Sequence, residues 1–434
     1  MLSAFVRAFR TPDLRRKLLF TIGIMVVFRV GSFLPAPGIN YANVQTCVSH
    51  TKDEGGLLNT ISMFSGGALL QLAVFALGIM PYITASIIVQ LLRVVIPKFE
   101  MLHKEGQSGT AKLTQYTRYL TIGLAILQST SIIVTVRSGQ FFSGCSVADQ
   151  IITDRSVWTM AVMIIAMTAG TGLIMWLGEL ITEHGVGNGM SLLIFTSIAA
   201  GFPSAMYSIA GGLNGLTKLA IILGIIVVVI GMVVFVEQSQ RRIPVQYAKR
   251  MVGRRMYGGS STYIPIKINI AGVIPIIFAA SLLQVPTVVA QFGDQNADWV
   301  RWTTRNLASS SSTLHLALYA LLIIFFAFFY TAITFNPDEV ADNMKSYGGF
   351  VPGIRAGRPT AEYLDYVITR ITTPGSMYLA VVALIPTIAF NVMGVGSGIP
   401  FGGSSILIIV GVGLETVKQI QSQLEQRHYE GFLR

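Results

Sequence analysis

Charge is what this sequence has least of: Asp, Glu, Lys and Arg make up 12% of its 434 residues, against about 25% in an average soluble domain. That shortage excludes a chain solvated mainly by water, and a hydrophobic share of 52% says the same from the other side. Catalytic signatures are missing as well. The five histidines, His50, His103, His184, His315 and His428, are far apart. There is no His-Glu-x-x-His, no phosphate-binding P-loop and no Gly-x-Ser-x-Gly. The glycine-rich run at 185–189 follows a membrane-type helix and not a strand, so it reads as a tight turn. No catalytic residue, metal or cofactor is expected, and the chain does not read as an enzyme. Asp, Glu and His are absent from the middle of the apolar runs, where an ion-coupled pump usually keeps one. Only two cysteines occur, Cys47 and Cys145. Both fall on the side expected to face outside, where a disulfide is possible; two free cysteines is the plainer reading.

What the chain has instead is apolar length. A hydrocarbon core about 30 Å thick takes about 20 apolar residues of helix. Backbone in lipid must pair within helices or closed barrels, and the runs here are continuous where barrel strands would alternate. Ten candidate spans emerge, at 18–36, 72–96, 119–136, 157–177, 190–209, 219–236, 270–290, 314–333, 377–392 and 401–417. The basic, then apolar N-terminus mimics a signal peptide, but it runs into Pro-Ala-Pro-Gly and many more spans follow, so it reads as a retained first helix. Of the 31 Lys and Arg, 24 fall on the N-terminal side of the membrane and six opposite, with Arg29 inside the first span. Positive charge is retained in the cytoplasm, so both termini are expected there. Arg29 lies in the outer half of its helix and is expected to snorkel to the interface.

Ten spans divide into five and five, which gives the halves opposite orientations, the arithmetic of an inverted repeat with a pathway between. The expected fold is an all-α polytopic membrane protein of ten transmembrane helices in two inverted halves. Residues 1–17 form a cytoplasmic N-terminus, 18–209 the first half, 210–420 the second and 421–434 a cytoplasmic tail. Two cytoplasmic loops are too long to be connectors. Residues 237–269 carry seven positive charges against one acid, Glu237, and 334–376 mix both signs. Such loops anchor on lipid headgroups or dock a cytosolic partner. Residues 55–71 are apolar but too short to span, which suggests a re-entrant or an interfacial element; Gly66 and Gly67 would let it bend.

Several phrases, in order along the chain, resemble the SecY family. Phe28-Arg29-Val30-Gly31-Ser32-Phe33-Leu34-Pro35 resembles the end of its first helix, and Met63-Phe64-Ser65-Gly66-Gly67-Ala68-Leu69 its plug region. Ala76-Leu77-Gly78-Ile79-Met80-Pro81-Tyr82-Ile83 resembles its second helix, and Gly178 to Ser191 its turn between helices four and five. Gln240-Arg241-Arg242-Ile243-Pro244, Lys267 to Pro275, Phe350-Val351-Pro352-Gly353-Ile354-Arg355 and Phe401-Gly402-Gly403-Ser404-Ser405 continue the likeness to the last helix.

The resemblance implies an hourglass pore narrowed by a ring of isoleucines, here Ile79, Ile83, Ile194, Ile277 and Ile408, with Ile274 a neighbouring candidate. It implies a short plug helix at 57–70, including Leu57, Leu58, Asn59, Thr60, Ile61, Ser62, Met63, Phe64, Ser65, Gly66 and Gly67. A lateral gate would open between helices two–three and seven–eight, with Thr84, Gln128 and Asn269 as its polar positions. Arg254, Arg255, Lys267 and Arg355 would dock a motor or a ribosome, whose RNA favours cations. The implied partners are the small membrane subunits SecE and SecG, the SecA motor ATPase, the ribosome, secretory precursors with signal sequences, and membrane lipids. The implied place is the bacterial plasma membrane. Against a protein-conducting channel stand a secondary transporter of a small solute, which lacks its mid-membrane ionisable pair, and a membrane enzyme, which lacks the residues for its chemistry.

Overall fold

The computed structural model describes residues 9, 11–51, 65–139, 141–142, 145, 147, 150–154, 156–211, 215–247, 250–252, 255–257, 261–291, 297–308, 312–392 and 403–430. Helix α1 (Pro12–Gly31) opens on a proline, whose missing N–H has no partner to lose at that position. It buries Leu14, Leu18, Thr21, Ile24, Phe28 and Gly31, three or four residues apart and so on one face. Leu19, Ile22, Val26, Val27 and Val30 stay exposed; water would penalise such a surface and lipid accepts it. Then come α2 (Tyr41–Thr51), α3 (Met80–Val95), α4 (Pro97–Lys104), α5 (Gln107–Arg137), α6 (Val157–His184), α7 (Gly189–Ala210) and α8 (Gly215–Gln238). After a strand-rich stretch follow α9 (Ile274–Gln291), α10 (Asp298–Thr303), α11 (Thr313–Thr334), α12 (Pro337–Ser346), α13 (Arg358–Val392) and α14 (Gly403–Glu430).

A helix overlaps each of the ten expected spans. By length and apolarity alone, five stretches among the described residues can cross a membrane: Gln107–Arg137, Val157–His184, Gly215–Gln238, Thr313–Ser346 and Arg358–Ala389. The pair α3 and α4, bent by 100°, makes a sixth. Pro97 causes the bend, because it holds Ile96 extended at φ −105° and ψ 112°, outside the helical region.

The span expected at 72–96 is helical only from Met80. Ahead of it the chain pairs elsewhere: Ala36 N–H donates to the Leu72 carbonyl and Val74 N–H to that of Leu34. Leu72, Ala73 and Ala76 are almost fully buried, the condition under which irregular backbone is tolerated at membrane depth. Gly170 of α6 permits the close approach, since a β-carbon there would collide with the Val74 carbonyl.

The helices pack in a closed circuit. Helix α3 lies on α5, α5 on α6, α6 on α7, and α7 on both α8 and α14; α14 lies on α13, α13 on α11, α11 on α9, and α9 returns to α3. Helix α1 rests against α6 and α7. Elements before residue 211 therefore meet those after it at two seams: α3 with α9, and α7 with α8 and α14. The first seam is the thinner.

The all-α expectation fails in the long loops. Residues 237–269 contain β1 (Gln240–Tyr247), β2 (Arg250–Val252), β3 (Arg255–Tyr257) and β4 (Ser261–Lys267). Strand β4 pairs antiparallel along β1, from Gln240 opposite Lys267 to Gln246 opposite Ser261. Strand β5 (Gly349–Phe350), from the other long loop, joins β1 as well. The cause is a period of two: Ile243 and Val245 face inward while Arg242, Pro244 and Gln246 face out, as a half-buried strand requires. Beneath the sheet, Ile243, Val245 and Ile266 pack against Met344, Val351, Leu364, Val367 and Ile368. Residues 334–376 are thus no free loop, and the helix expected at 377–392 starts at Arg358.

On the opposite side Cys47 and Cys145 are joined in a disulfide, with Cα atoms 5.4 Å apart. This overturns the reading of two free cysteines. Cys47 is buried in a cluster with Val44, Leu69, Leu72, Phe141, Phe142 and Ile151, and Cys145 packs against that cluster. Ile39 bridges to Ile152 alongside. Apolar packing of α2 on that segment is what brings the thiols together.

Candidate functional site

The five expected ring isoleucines come from four helices on both sides of the seams. Ile79 caps α3 and Ile83 follows one turn later. Ile194 lies on α7, Ile277 on α9 and Ile408 on α14. All five belong to a single buried cluster, with Ile274 packed at its margin. Their exposures are 2%, 7%, 3%, 9% and 0% in that order, so all five are shielded inside the apolar interior of the helix circuit. Aliphatic groups offer an ion neither charge nor hydrogen bond in return for its water, and such constrictions exclude ions by dewetting. Aliphatic groups hold their neighbours by dispersion alone, so parting them breaks no directional bond.

Against this cluster sits the end of the segment expected to be the plug. Leu57, Leu58, Asn59, Thr60, Ile61, Ser62, Met63 and Phe64 lie outside the described residues. Ser65, Gly66 and Gly67 are described. The Ser65 hydroxyl accepts from Leu69 N–H at 3.1 Å, and Ala68 is a member of the isoleucine cluster. The Gly66 carbonyl accepts a hydrogen bond from Arg29 Nη1 at 2.7 Å. Gly66 has φ +65° and its Cα faces the backbone of Ser197 on α7, so a side chain there would be strained as well as crowded.

Arg29 thereby departs from the expected snorkelling. Its guanidinium turns inward to the Gly66 carbonyl and lies 4.9 Å over the Phe33 ring. Sequence marked Arg29 as an intramembrane charge, which is the signal for a functional residue. Its partner is a backbone carbonyl 37 positions away, which no side-chain pattern announces.

The three expected gate positions are not joined by a hydrogen bond among the described residues. The Thr84 hydroxyl bonds back to the Met80 carbonyl on its own helix, 3.0 Å away. Gln128 is half-buried on α5. Asn269, 4% exposed, donates to Glu237 Oε1 at 2.6 Å and to the Gly272 carbonyl at 3.0 Å. Thr84 is carried by α3, one of the two helices of the thin seam, and Asn269 lies five residues ahead of the start of α9, the other.

Of the expected docking residues, Arg254 lies outside the described residues and Arg255 opens β3. Lys267 ends β4 and Arg355 sits in the turn after β5, both exposed. Because β4 and β5 both pair on β1, Lys267 and Arg355 stand on one folded module, while β3 pairs with β2 in a separate sheet. Sequence also missed the bidentate ion pair from Arg118 on α5 to Glu179 on α6, at 2.8 and 2.7 Å, although both residues were visible as charges bordering spans.

A family model described as SecY matches residues 73–417. The protein translocase subunit SecY of Streptomyces coelicolor is 64% identical to the chain over 437 residues, covering 100% of each. That of Mycobacterium bovis is 55% identical over 444 residues, again covering 100% of each. Among solved structures, a protein-conducting channel matches with a TM-score of 0.61 at 19% identity, over 94% of this chain and 91% of that one. Sec61 in a canine ribosome–channel complex from the endoplasmic reticulum matches with a TM-score of 0.58 at 18% identity, over 94% and 91%. At these identities the structures speak for the fold.

Proposed function

The chain belongs to the SecY family, and from that premise we propose that it is the passive conduit through which unfolded secretory proteins cross the bacterial plasma membrane. It is a subunit of a protein-translocation channel in the membrane and not an enzyme. The observation that carries the conduit reading is that all five positions expected for the collar, from four helices, are buried in one apolar cluster inside a closed helix circuit. A gasket of this kind seals against ions and parts for a polypeptide, and it contributes no force. The energy then comes from outside, from the SecA motor or a translating ribosome pressing on the sheet module through Arg254, Arg255, Lys267 and Arg355.

In this reading ten helices span the membrane as two inverted halves, with both termini in the cytoplasm. The segment 57–70 is the plug, tethered at its end by Arg29. Hydrophobic segments and signal sequences leave sideways through the α3–α9 seam, past Thr84, Gln128 and Asn269. SecE and SecG complete the complex. The test is reconstitution of the chain with these subunits and the motor in lipid vesicles, presenting a precursor protein and, separately, small labelled solutes. Motor-dependent protection of the precursor from external protease supports the conduit. Solute uptake without precursor transport would favour a secondary transporter instead.

A further inference from the structure

Strands β1 and β4 rise from two feet, and the feet are tied together. Helix α8 ends at Gln238 and β1 begins at Gln240; β4 ends at Lys267, and Asn269 follows on the way to α9. The backbone ladder extends one step past the strands, Ile268 N–H donating to the Ser239 carbonyl at 3.2 Å. Beyond it side chains take over. Asn269 commits one amide hydrogen to the Glu237 carboxylate at 2.6 Å and the other to the Gly272 carbonyl at 3.0 Å. A third element joins through Lys418 of α14, whose Nζ donates to the Glu237 carbonyl at 3.2 Å. Helix α13 closes the group from behind: Gly375 presses on the Ile268 carbonyl so tightly that a β-carbon would meet it at 2.6 Å.

We propose that Glu237 is a positioning residue that couples the cytoplasmic sheet module to the gate helix α9, through its bond to Asn269. The proposal rests on the conduit reading above and deepens it. A hydrogen bond to an ionised carboxylate is short and about twice as strong as a neutral one. Asn269 has no spare donor, since both its amide hydrogens are engaged. A partner that tilts the β1–β4 pair therefore moves Asn269, and with it the Gly272 turn from which α9 starts. Ile277 lies in the first turn of that helix, and Lys418 extends the same tie to the helix carrying Ile408. Two of the five collar residues thus sit on elements fastened to the feet of the module. Glu237 is the one acid of residues 237–269, and here it does not merely balance surface charge.

The test uses the full chain in its reconstituted complex with the motor. Glu237→Ala should leave motor binding at parental affinity while precursor transported per ATP hydrolysed falls about tenfold, the size expected for losing a charge-assisted hydrogen bond. Glu237→Gln keeps an acceptor oxygen and should restore most of that coupling. A role in folding alone would lower binding and transport together, and Glu237→Gln would not separate them. Coupling at the parental level in Glu237→Ala, or joint loss of motor binding and coupling, overturns the proposal. If Glu237→Ala does not insert, Glu237→Asp, which draws the carboxylate back by one methylene from Asn269, is read by the same two outcomes. Failure of the unmodified complex to transport a precursor would instead refute the conduit reading.

Discussion

The two seams of the helix circuit are built differently. Where α7 meets α8 and α14, a second cluster reinforces the contact: Leu14 and Leu18 of α1, Val186 of the α6–α7 turn and Ile420 of α14 pack together. The turn is fixed further by Val186 N–H donating to the Thr21 hydroxyl at 3.2 Å, and Gly187 leans on Thr416 of α14. The α3–α9 seam has less contact, and its polar residue Thr84 bonds within its own helix. Helices in lipid gain little from burying more hydrocarbon, so packing and interhelical bonds decide which contacts persist. In the proposed conduit the broad seam would serve as the hinge and the thin seam as the side that opens.

The sharpest way to break this comparison is to lock the seams one at a time. Thr84→Cys combined with single cysteines scanned along 274–283 should, once oxidised, abolish passage of signal-bearing precursors. Reduction should restore it, with the parent run alongside because Cys47–Cys145 is also reducible. Cysteines replacing Val186 and Ile420 should leave passage standing when oxidised. Equal block at both seams would mean that neither is a hinge.

The collar offers the next largest effect. Ile83→Asn on α3 or Ile408→Asn on α14 places a hydratable amide among aliphatic groups. Satisfying one such group with water is worth about 1–3 kcal/mol, or roughly 10–100-fold in ion flux through the resting channel. Planar-bilayer conductance reads this directly. Unchanged leak in both variants would remove these residues from the barrier.

How far the sequence carried this picture depended on whether a feature was local. Hydrophobic runs found the helices, because solvation by lipid is written residue by residue. The ring positions could be numbered only through a family resemblance, since an isoleucine meant for a collar looks like one meant for lipid. The sheet module was legible in the alternation of Arg-Ile-Pro-Val-Gln-Tyr and Thr-Tyr-Ile-Pro-Ile-Lys, but a proline inside each run argues against a strand. The pairing of β5 with β1, the disulfide across 98 residues and the Arg29–Gly66 contact depend on chain that returns from far away. Pattern alone does not contain them.

Arg29 tests whether the segment proposed as the plug is held at its end by the contact with Gly66. Arg29→Met keeps length and apolar bulk but loses the bond to the Gly66 carbonyl. Hydrogen bonds to charged groups contribute about 1.5–3 kcal/mol, so the resting leak should rise by about tenfold, less than for a breached collar. Arg29→Lys, which keeps a donor, should fall between Met and the parent. A Met variant as tight as the parent would make the contact incidental.

The smallest effect belongs to the rim of the sheet module. Arg355 is exposed in the turn after β5, where solvent and salt screen its charge. Arg355→Glu reverses that charge without touching the cluster under the sheet, so insertion and the resting leak should stay at parental values. Motor-driven transport should fall several-fold at low salt, chiefly through slower association, because rim charges act on encounter more than on the formed contact. Raising the ionic strength should shrink the gap between variant and parent, since screening weakens the parent's advantage. The same measurement bears on the seams. If Arg355→Glu and the locked α3–α9 seam each reduce transport but only the locked seam retains full motor binding, then the module acts before the seam opens. Loss of transport at unchanged motor association would place Arg355 among residues that move the gate and not among those that receive the motor.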